Sequence, residues 1–373
     1  MTGYAVGQGT AAGVPASIVV GRVAPNTARE DERVRSGQCE AGLFRPTNPQ
    51  RPRASVCMIT YNHEKYIAQA IESVLMQKTD FDFEVVIGED GSADGTADIV
   101  RRMAERCRPR IRPLLRDRNL GAQRNFVDVL QHCRGDYVAV LEGDDYWTDP
   151  HKLQKQVDFL ETHPDFVMCC HDAEMSCEGV VDRSSPFKKD FPQVSTFDDI
   201  WRKFFIPTPS LVFRNRVIRE FPEWYCRVRS GDRALELMLA HSGKCYYMFE
   251  KMAMKRRHPG GITETESFKD TLGRLRDRLT IYRGVMDYTG RSGAMFDDTV
   301  GGLHRRISIE YARRHDRARS AYHLAAALFL SRGVRYDVLV RPFAVRVPAS
   351  TRRLLRKVVP RRTAQGHEQR GAS

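Results

Sequence analysis

The sequence predicts an α/β fold: a mixed, mostly parallel sheet flanked by helices, with a helical, basic C-terminal extension. Three observations carry this. Four short apolar runs that read as buried strands alternate with three segments of helical period between residues 54 and 141. Acid-rich loops follow the second and fourth runs, at the sheet edge where a parallel sheet gathers its ligand loops. The charge is also lopsided: residues 301–373 hold 17 Lys/Arg against 4 Asp/Glu, a difference of +13 that equals the net charge of the whole chain.

Taken in order, residues 1–53 are rich in Gly, Ala, Pro and Arg, lack sustained periodicity, and end in Pro49-Gln50-Arg51-Pro52-Arg53; they read as a disordered lead. Their apolar stretch, Ala16-Ser17-Ile18-Val19-Val20, has no basic leader before it, so a signal peptide is not expected. Ser55-Val56-Cys57-Met58-Ile59-Thr60 is the first strand. Residues 64–77 form a helix, with Ile67, Ala70, Ile71, Val74 and Leu75 at helical spacing. Phe83-Glu84-Val85-Val86-Ile87 is the second strand, and Asp94-Gly95-Thr96 opens a helix running to about Cys107. Ile111-Arg112-Pro113-Leu114-Leu115 gives a third strand, residues 123–132 a third helix, and Tyr137-Val138-Ala139-Val140-Leu141 a fourth strand. Later, Val167-Met168-Cys169-Cys170 reads as a strand, and Ser230-Gly231-Asp232 opens an apolar-periodic helix toward Ala240.

Composition narrows the class without choosing a function. Hydrophobic content of 41% with 29% charged residues excludes fibrous and wholly disordered chains. The first 300 residues are neutral overall, which argues against a nucleic-acid-binding core, and no nucleic acid partner is expected. Nine scattered cysteines with no C-x-x-C pair point to a reducing compartment, with unpaired thiols acting as small core residues. No apolar run approaches the roughly 18 residues of a membrane span. A cytoplasmic protein, soluble or peripheral on the cytoplasmic face of the membrane, is therefore expected. Near the C-terminal end Leu354, Leu355, Val358 and Val359 share a helical face flanked by arginines, a pattern that binds anionic membrane surfaces. Its plainer alternative is a solvated helix packed on the rest of the protein.

The chemistry concentrates after the fourth strand. Glu142-Gly143-Asp144-Asp145 packs three carboxylates together, which repel unless a cation or hydrogen-bond donors offset them. A divalent metal carrying a phosphate ligand fits, Mg²⁺ or Mn²⁺ by their preference for oxygen ligands. A second acidic loop, Glu89-Asp90-Gly91-Ser92-Ala93-Asp94, leaves the same sheet edge. There is no G-x-G-x-x-G after the first strand and no P-loop in this region, which weakens dinucleotide and P-loop readings.

Together Val56-Cys57-Met58-Ile59-Thr60-Tyr61-Asn62, the Glu89-to-Thr96 loop, Asn119-Leu120-Gly121, and Gly135-Asp136-Tyr137 leading to Glu142-Gly143-Asp144-Asp145-Tyr146-Trp147 resemble the family 2 glycosyltransferases of the GT-A (Rossmann-like) fold. The resemblance is strong over residues 54–162 and looser to about Gly261. It implies an inverting, metal-dependent transferase that moves a sugar from a nucleotide-sugar, a UDP-sugar above all, to a glycan or lipid-linked acceptor in cell-surface polysaccharide synthesis. It also implies a GT-A domain over residues 54–290, with a nucleotide-sugar half (54–165), an acceptor half (166–290) and a basic helical extension (291–373).

The resemblance assigns roles residue by residue. Thr60 and Tyr61 border the base, Asp90 accepts from the uracil N–H, and Asn119 and Gly121 frame the nucleotide. Glu142-Gly143-Asp144 resembles the D-x-D triplet, with Asp144 on the metal and Glu142 at the ribose or the metal; Asp145 is a rival metal ligand. Asp232 resembles the general base, its alternative being a helix cap. His258 resembles the histidine that closes over metal or diphosphate, with Arg256 and Arg257 adding charge. His171-Asp172-Ala173 and Pro207-Thr208-Pro209-Ser210 are placed on the acceptor side, and Trp147 and Trp201 are rings that stack on sugars or pack in the core. Two rival classes remain: a nucleotidyltransferase, which would carry a basic Gly-rich loop near the first strand, and a non-catalytic, membrane-associated nucleotide-sugar binder.

Overall fold

The computed structural model describes residues 52–177, 179–182, 192–203, 206–261, 264 and 270–330. Its centre is a sheet built from β1 (Ala54–Thr60), β2 (Phe83–Glu89), β3 (Ile111–Leu115) and β4 (Tyr137–Glu142), joined by α1 (Ile67–Leu75), α2 (Thr96–Arg106) and α3 (Ala122–His132). These four strands are parallel, in the order β3-β2-β1-β4. β3 lies at the edge, which is where a strand tolerates Pro113. Register then places the site: Thr60 pairs with Glu89 and Ile59 with Glu142, so the chain leaves three neighbouring strands at one level.

Beyond β4 come β5 (Tyr146–Trp147), α4 (Lys152–Thr162), β6 (Phe166–Cys177), β7 (Val180–Asp182), β8 (Val194–Ser195), α5 (Phe197–Arg202), β9 (Val212–Arg214), α6 (Gly231–Ala240) and β10 (Lys244–Arg257). The sheet continues β4-β9-β6-β10-β5, with β9 antiparallel to both neighbours and β10 parallel to β6. The short β5 pairs with β10 at Met254↔Tyr146 and Ala253↔Trp147, which draws the loop after β4 against the end of β10.

Alternate residues of each strand feed two cores. Val56, Met58, Val85, Ile87, Ala139 and Leu141 pack against Ile67, Ile71 and Val74 of α1, Val100 of α2 and Leu153, Val157 and Leu160 of α4. Cys57, Val86, Val138 and Val140 pack on the other face against α3 and α6. Helices α7 (Thr271–Thr289), α8 (Ala294–Arg313) and α9 (Arg317–Leu330) extend that second core, α8 through Phe296, Val300, Leu303, Ile307 and Tyr311. Burying such side chains is worth roughly 1.5–3 kcal/mol each, which explains why a basic segment with little helical amphipathicity still folds here.

The predicted helix over residues 64–77 is shorter, Ile67–Leu75, for a physical reason. Asn62 has φ 55, and the turn it starts is stapled to the loop after β2: Asn62 N–H donates to Ser92 Oγ (2.9 Å), Ala93 N–H to Asn62 Oδ1 (2.9 Å) and His63 N–H to Thr96 Oγ1 (2.8 Å). β6 is longer than predicted, because its polar end pairs with β10 as far as Cys177. The eight described cysteines are all free. Among the described residues no helix is long and apolar enough to cross a membrane. The disordered lead predicted over residues 1–53 falls almost wholly, and the basic segment at 345–362 wholly, outside the described residues.

Candidate active site

The strand ends open into one cavity of ≈ 280 Å³. Thr60 and Tyr61 form one wall; Thr60 is 2% exposed and Tyr61 43%. Beside them Asp90, 2% exposed, accepts hydrogen bonds from Leu120 N–H (2.8 Å) and Gly121 N–H (3.0 Å). Burial pushes the Asp90 carboxyl above its ordinary range, and the two N–H groups pull against that. The carboxylate thus shapes the Asn119-Leu120-Gly121 turn while still lining the cavity, where its remaining lone pairs can accept from a ligand. Asn119 lines the cavity too, and Gly121 supports it from behind, at φ 89.

The acidic loop is held residue by residue by the end of β10. Lys255 Nζ lies 3.5 Å from Glu142 Oε2, Arg256 N–H donates to Asp145 Oδ1 (2.8 Å), Arg256 Nη1 donates to the Asp144 carbonyl (2.7 Å), and His258 Nε2 is 3.1 Å from Asp144 Oδ2. Gly143 is required at the centre of this loop: a Cβ there would lie 2.6 Å from Thr60 Oγ1. Asp145 Oδ2 is buried with no hydrogen-bond partner. Such an orphaned carboxylate oxygen, in a group of three acids whose ligand atoms lie within 4.8 Å of one another, fits a bound cation.

Electrostatics separates the three acids. Burial, with Asp144 and Glu142 nearby, pushes the Asp145 carboxyl well up. Burial raises Glu142 as well, against the pull of Lys255. Asp144 also pays desolvation, but the His258 hydrogen bond and the His63 and Lys255 charges outweigh it and hold its carboxyl below the usual range. Of the three, only Asp144 is held below its ordinary range.

Across the cavity, Asp232 is the second residue of α6, with Ser230 at the cap and no side-chain cap bond. Its carboxylate takes the Arg233 N–H (2.7 Å), lines the cavity, and is close enough to Glu142 and Lys255 to act on their ionisation. Thr208 lines the same cavity, 3.3 Å from Lys255 Nζ. Arg257 lines the cavity, while the Arg256 guanidinium clamps Asp144 and lies 4.3 Å over the Tyr146 ring.

One expected acceptor-side group, His171, lies elsewhere, and the two tryptophans take the packing alternative. His171 is fully buried with Nδ1 2.6 Å from the Asp172 carbonyl, outside the cavity lining. Trp147 and Trp201 are 1% exposed and donate to Pro209 O and Thr299 Oγ1, so both are packing residues. Conversely, sequence reasoning passed over His63 and Lys255. His63 offered a signal, standing three residues beyond Thr60 after a strand; Lys255 offered a weaker one, a cation ending the apolar run Met252-Ala253-Met254.

Residues 55–224 match the family model described as glycosyl transferase family 2. The chain carries a family 2 glycosyltransferase segment over residues 55–224, and its mostly parallel sheet between helices is the GT-A fold. It is 37% identical over 228 residues to an uncharacterized protein of Mycobacterium tuberculosis, covering 59% of this chain and 64% of that one. The match thus spans less than two thirds of that relative's length. It is 28% identical over 214 residues to the poly(ribitol-phosphate) beta-N-acetylglucosaminyltransferase TarS of Staphylococcus aureus, covering 53% of this chain and 35% of TarS. The solved structure of TarS residues 1–349 with UDP is similar in fold, with a TM-score of 0.55 at 19% identity, covering 78% of this chain and 85% of that one.

Proposed function

We propose that this protein is a metal-dependent, inverting glycosyltransferase that moves a sugar from a nucleotide-sugar, a UDP-sugar above all, to a glycan or lipid-linked acceptor in cell-surface polysaccharide synthesis. One observation carries the reading: a single cavity is lined by Asp90, by the three acids Glu142, Asp144 and Asp145, and by Asp232 from the start of α6. A UDP-N-acetylglucosamine complex of TarS, similar in fold, supports the choice of donor class.

On this reading Thr60, Tyr61 and Asn119 border the nucleotide and Asp90 takes the base imide proton in a hydrogen bond. Glu142, turned toward Lys255, lies on the ribose side. Asp144, with Asp145 and His258, would hold Mn²⁺ or Mg²⁺, which when bound offsets the charge of the departing diphosphate. Asp232 accepts the proton of the acceptor hydroxyl while that oxygen bonds to the anomeric carbon from the face opposite the leaving group. The anomeric carbon–phosphate oxygen bond breaks, and the nucleoside diphosphate leaves with the electron pair, so one displacement inverts the centre. Residues 54–165 would serve the donor, 166–290 the acceptor, and 291–373 the approach to an anionic membrane surface on the cytoplasmic side.

The test is a panel of nucleotide-sugars with Mn²⁺, read first as thermal stabilisation and then as diphosphate release with glycan and lipid-linked acceptors. Stabilisation by one donor and acceptor-dependent release support the reading; donor binding without release under any acceptor favours a binder. The membrane part is tested separately by removing residues 345–373. The shortened chain is expected to keep activity on a soluble acceptor and lose sedimentation with anionic vesicles, and the intact chain's binding should weaken as salt is raised. Equal vesicle binding by both chains at low salt would sink the membrane role.

A further inference from the structure

We infer that His63 is a metal ligand, completing with Asp144 and His258 a two-histidine, one-carboxylate site that selects Mn²⁺ or a similar transition-metal ion over Mg²⁺. The inference rests on the metal-dependent reading above and gives that metal its coordination and its identity.

Both imidazoles turn Nε2 to the same oxygen. His258 Nε2 is 3.1 Å and His63 Nε2 3.8 Å from Asp144 Oδ2, and the three ligand atoms lie within 4.8 Å of one another. Metal–ligand bonds of about 2.0–2.2 Å place neighbouring ligand atoms roughly 3–3.7 Å apart, so this spacing brackets one ion with little movement. The histidines are also oriented from behind. His63 Nδ1 is 3.3 Å from Thr60 Oγ1 and the His63 backbone N–H donates to Thr96 Oγ1, while the His258 ring packs against Tyr66 with centroids 4.5 Å apart. Such outer contacts set which ring nitrogen faces a metal.

The alternative all-oxygen group shares Asp144, but its other members are engaged: Glu142 by Lys255 and one oxygen of Asp145 by Arg256 N–H. The second Asp145 oxygen is buried without a partner. Two imidazoles and one carboxylate suit Mn²⁺, Fe²⁺, Co²⁺ or Zn²⁺, whereas Mg²⁺ demands oxygen ligands. Three protein ligands leave positions open for diphosphate oxygens and water.

The experiment uses the full, metal-stripped chain without nucleotide. Mn²⁺ and Mg²⁺ binding are measured by calorimetry, and nitrogen couplings to bound Mn²⁺ by pulsed electron paramagnetic resonance. Wild type is expected to bind Mn²⁺ more tightly than Mg²⁺ and to show two imidazole nitrogens. His63→Ala should lower Mn²⁺ affinity roughly 10–100-fold and remove one nitrogen, a loss at least as large as that of an outer-shell partner. Unchanged affinity in His63→Ala, with binding abolished in Asp144→Asn, overturns the role of His63 and leaves the metal reading standing. No Mn²⁺ binding by wild type overturns both. Should His63→Ala fail to fold, the wild-type spectrum decides: fewer than two nitrogens rejects the site.

Discussion

Two lysines in this molecule are shifted in opposite directions, one fully buried and one on the cavity wall. Lys152 is fully buried, its Nζ 4.1 Å above the Trp147 ring and 2.7 Å from Gln156 Oε1. Burial brings its pKa down to about 7. Lys255 suffers the same desolvation, but Glu142, Asp145, Asp232 and Asp144 surround it and drive its pKa above the ordinary value. The two sites lie on either side of the short turn at Thr208–Ser210: Gln156 Nε2 donates to the Ser210 carbonyl and Lys255 Nζ to Thr208 Oγ1. Burial alone favours the neutral amine; a buried amine stays charged where acids are gathered for another purpose. On the function proposed above, that purpose would be to hold a metal and a base around a sugar.

The largest expected effect breaks the acid-rich side at its base. Asp232→Asn should lower turnover by the roughly 10²–10⁴-fold typical of general-base loss while donor affinity by calorimetry stays near normal. Near-normal turnover would make Asp232 a structural residue of the α6 terminus.

Lys152 sharpens the other side through pH. Its folded pKa is depressed, so between about 7 and the ordinary 10.5 the unfolded chain binds more protons, and the stability contribution of this group rises with pH across that window. Lys152→Met removes that slope. Relative to the variant, wild type should gain on the order of 3 kcal/mol between pH 7 and 9.5 in urea melts. Parallel stability curves for the two proteins would show that Lys152 is charged in the fold.

A smaller effect is expected at Lys255. Its side chain and that of Glu142 are 25% and 33% exposed, so cavity water screens the pair. Lys255→Met should therefore cost about 1–2 kcal/mol by urea titration, less than the loss of a fully buried pair. A stabilised variant would contradict the view that the acids need this cation.

Most of the parallel half was legible in the sequence. Ile111–Leu115 has the bounds the apolar run gave, and β2 and β4 end at the first acids of their loops, Glu89 and Glu142. There period and turn chemistry are local properties, so the chain states them directly. The clamp on the acids is not local: Lys255, Arg256 and His258 reach Glu142, Asp145 and Asp144 across more than 110 residues, through the pairing of β5 with β10. His63 is similar, a turn residue whose meaning depends on the register of β1 with β4. His171 misled for the converse reason. The polar end of β6 resembles a loop in composition, yet it is paired on both sides by β7 and β10 and its histidine is buried.

The central question is whether Asp144 joins a metal to a nucleotide. Calorimetry of UDP with the full chain, with and without Mn²⁺, in wild type and Asp144→Asn, tests this most directly, because an amide is a poorer ligand than a carboxylate for a divalent cation. The expected result is Mn²⁺-dependent UDP binding in wild type that disappears in the variant while its fold, by circular dichroism, is kept. Equal Mn²⁺-dependent UDP affinity in the two proteins would contradict it.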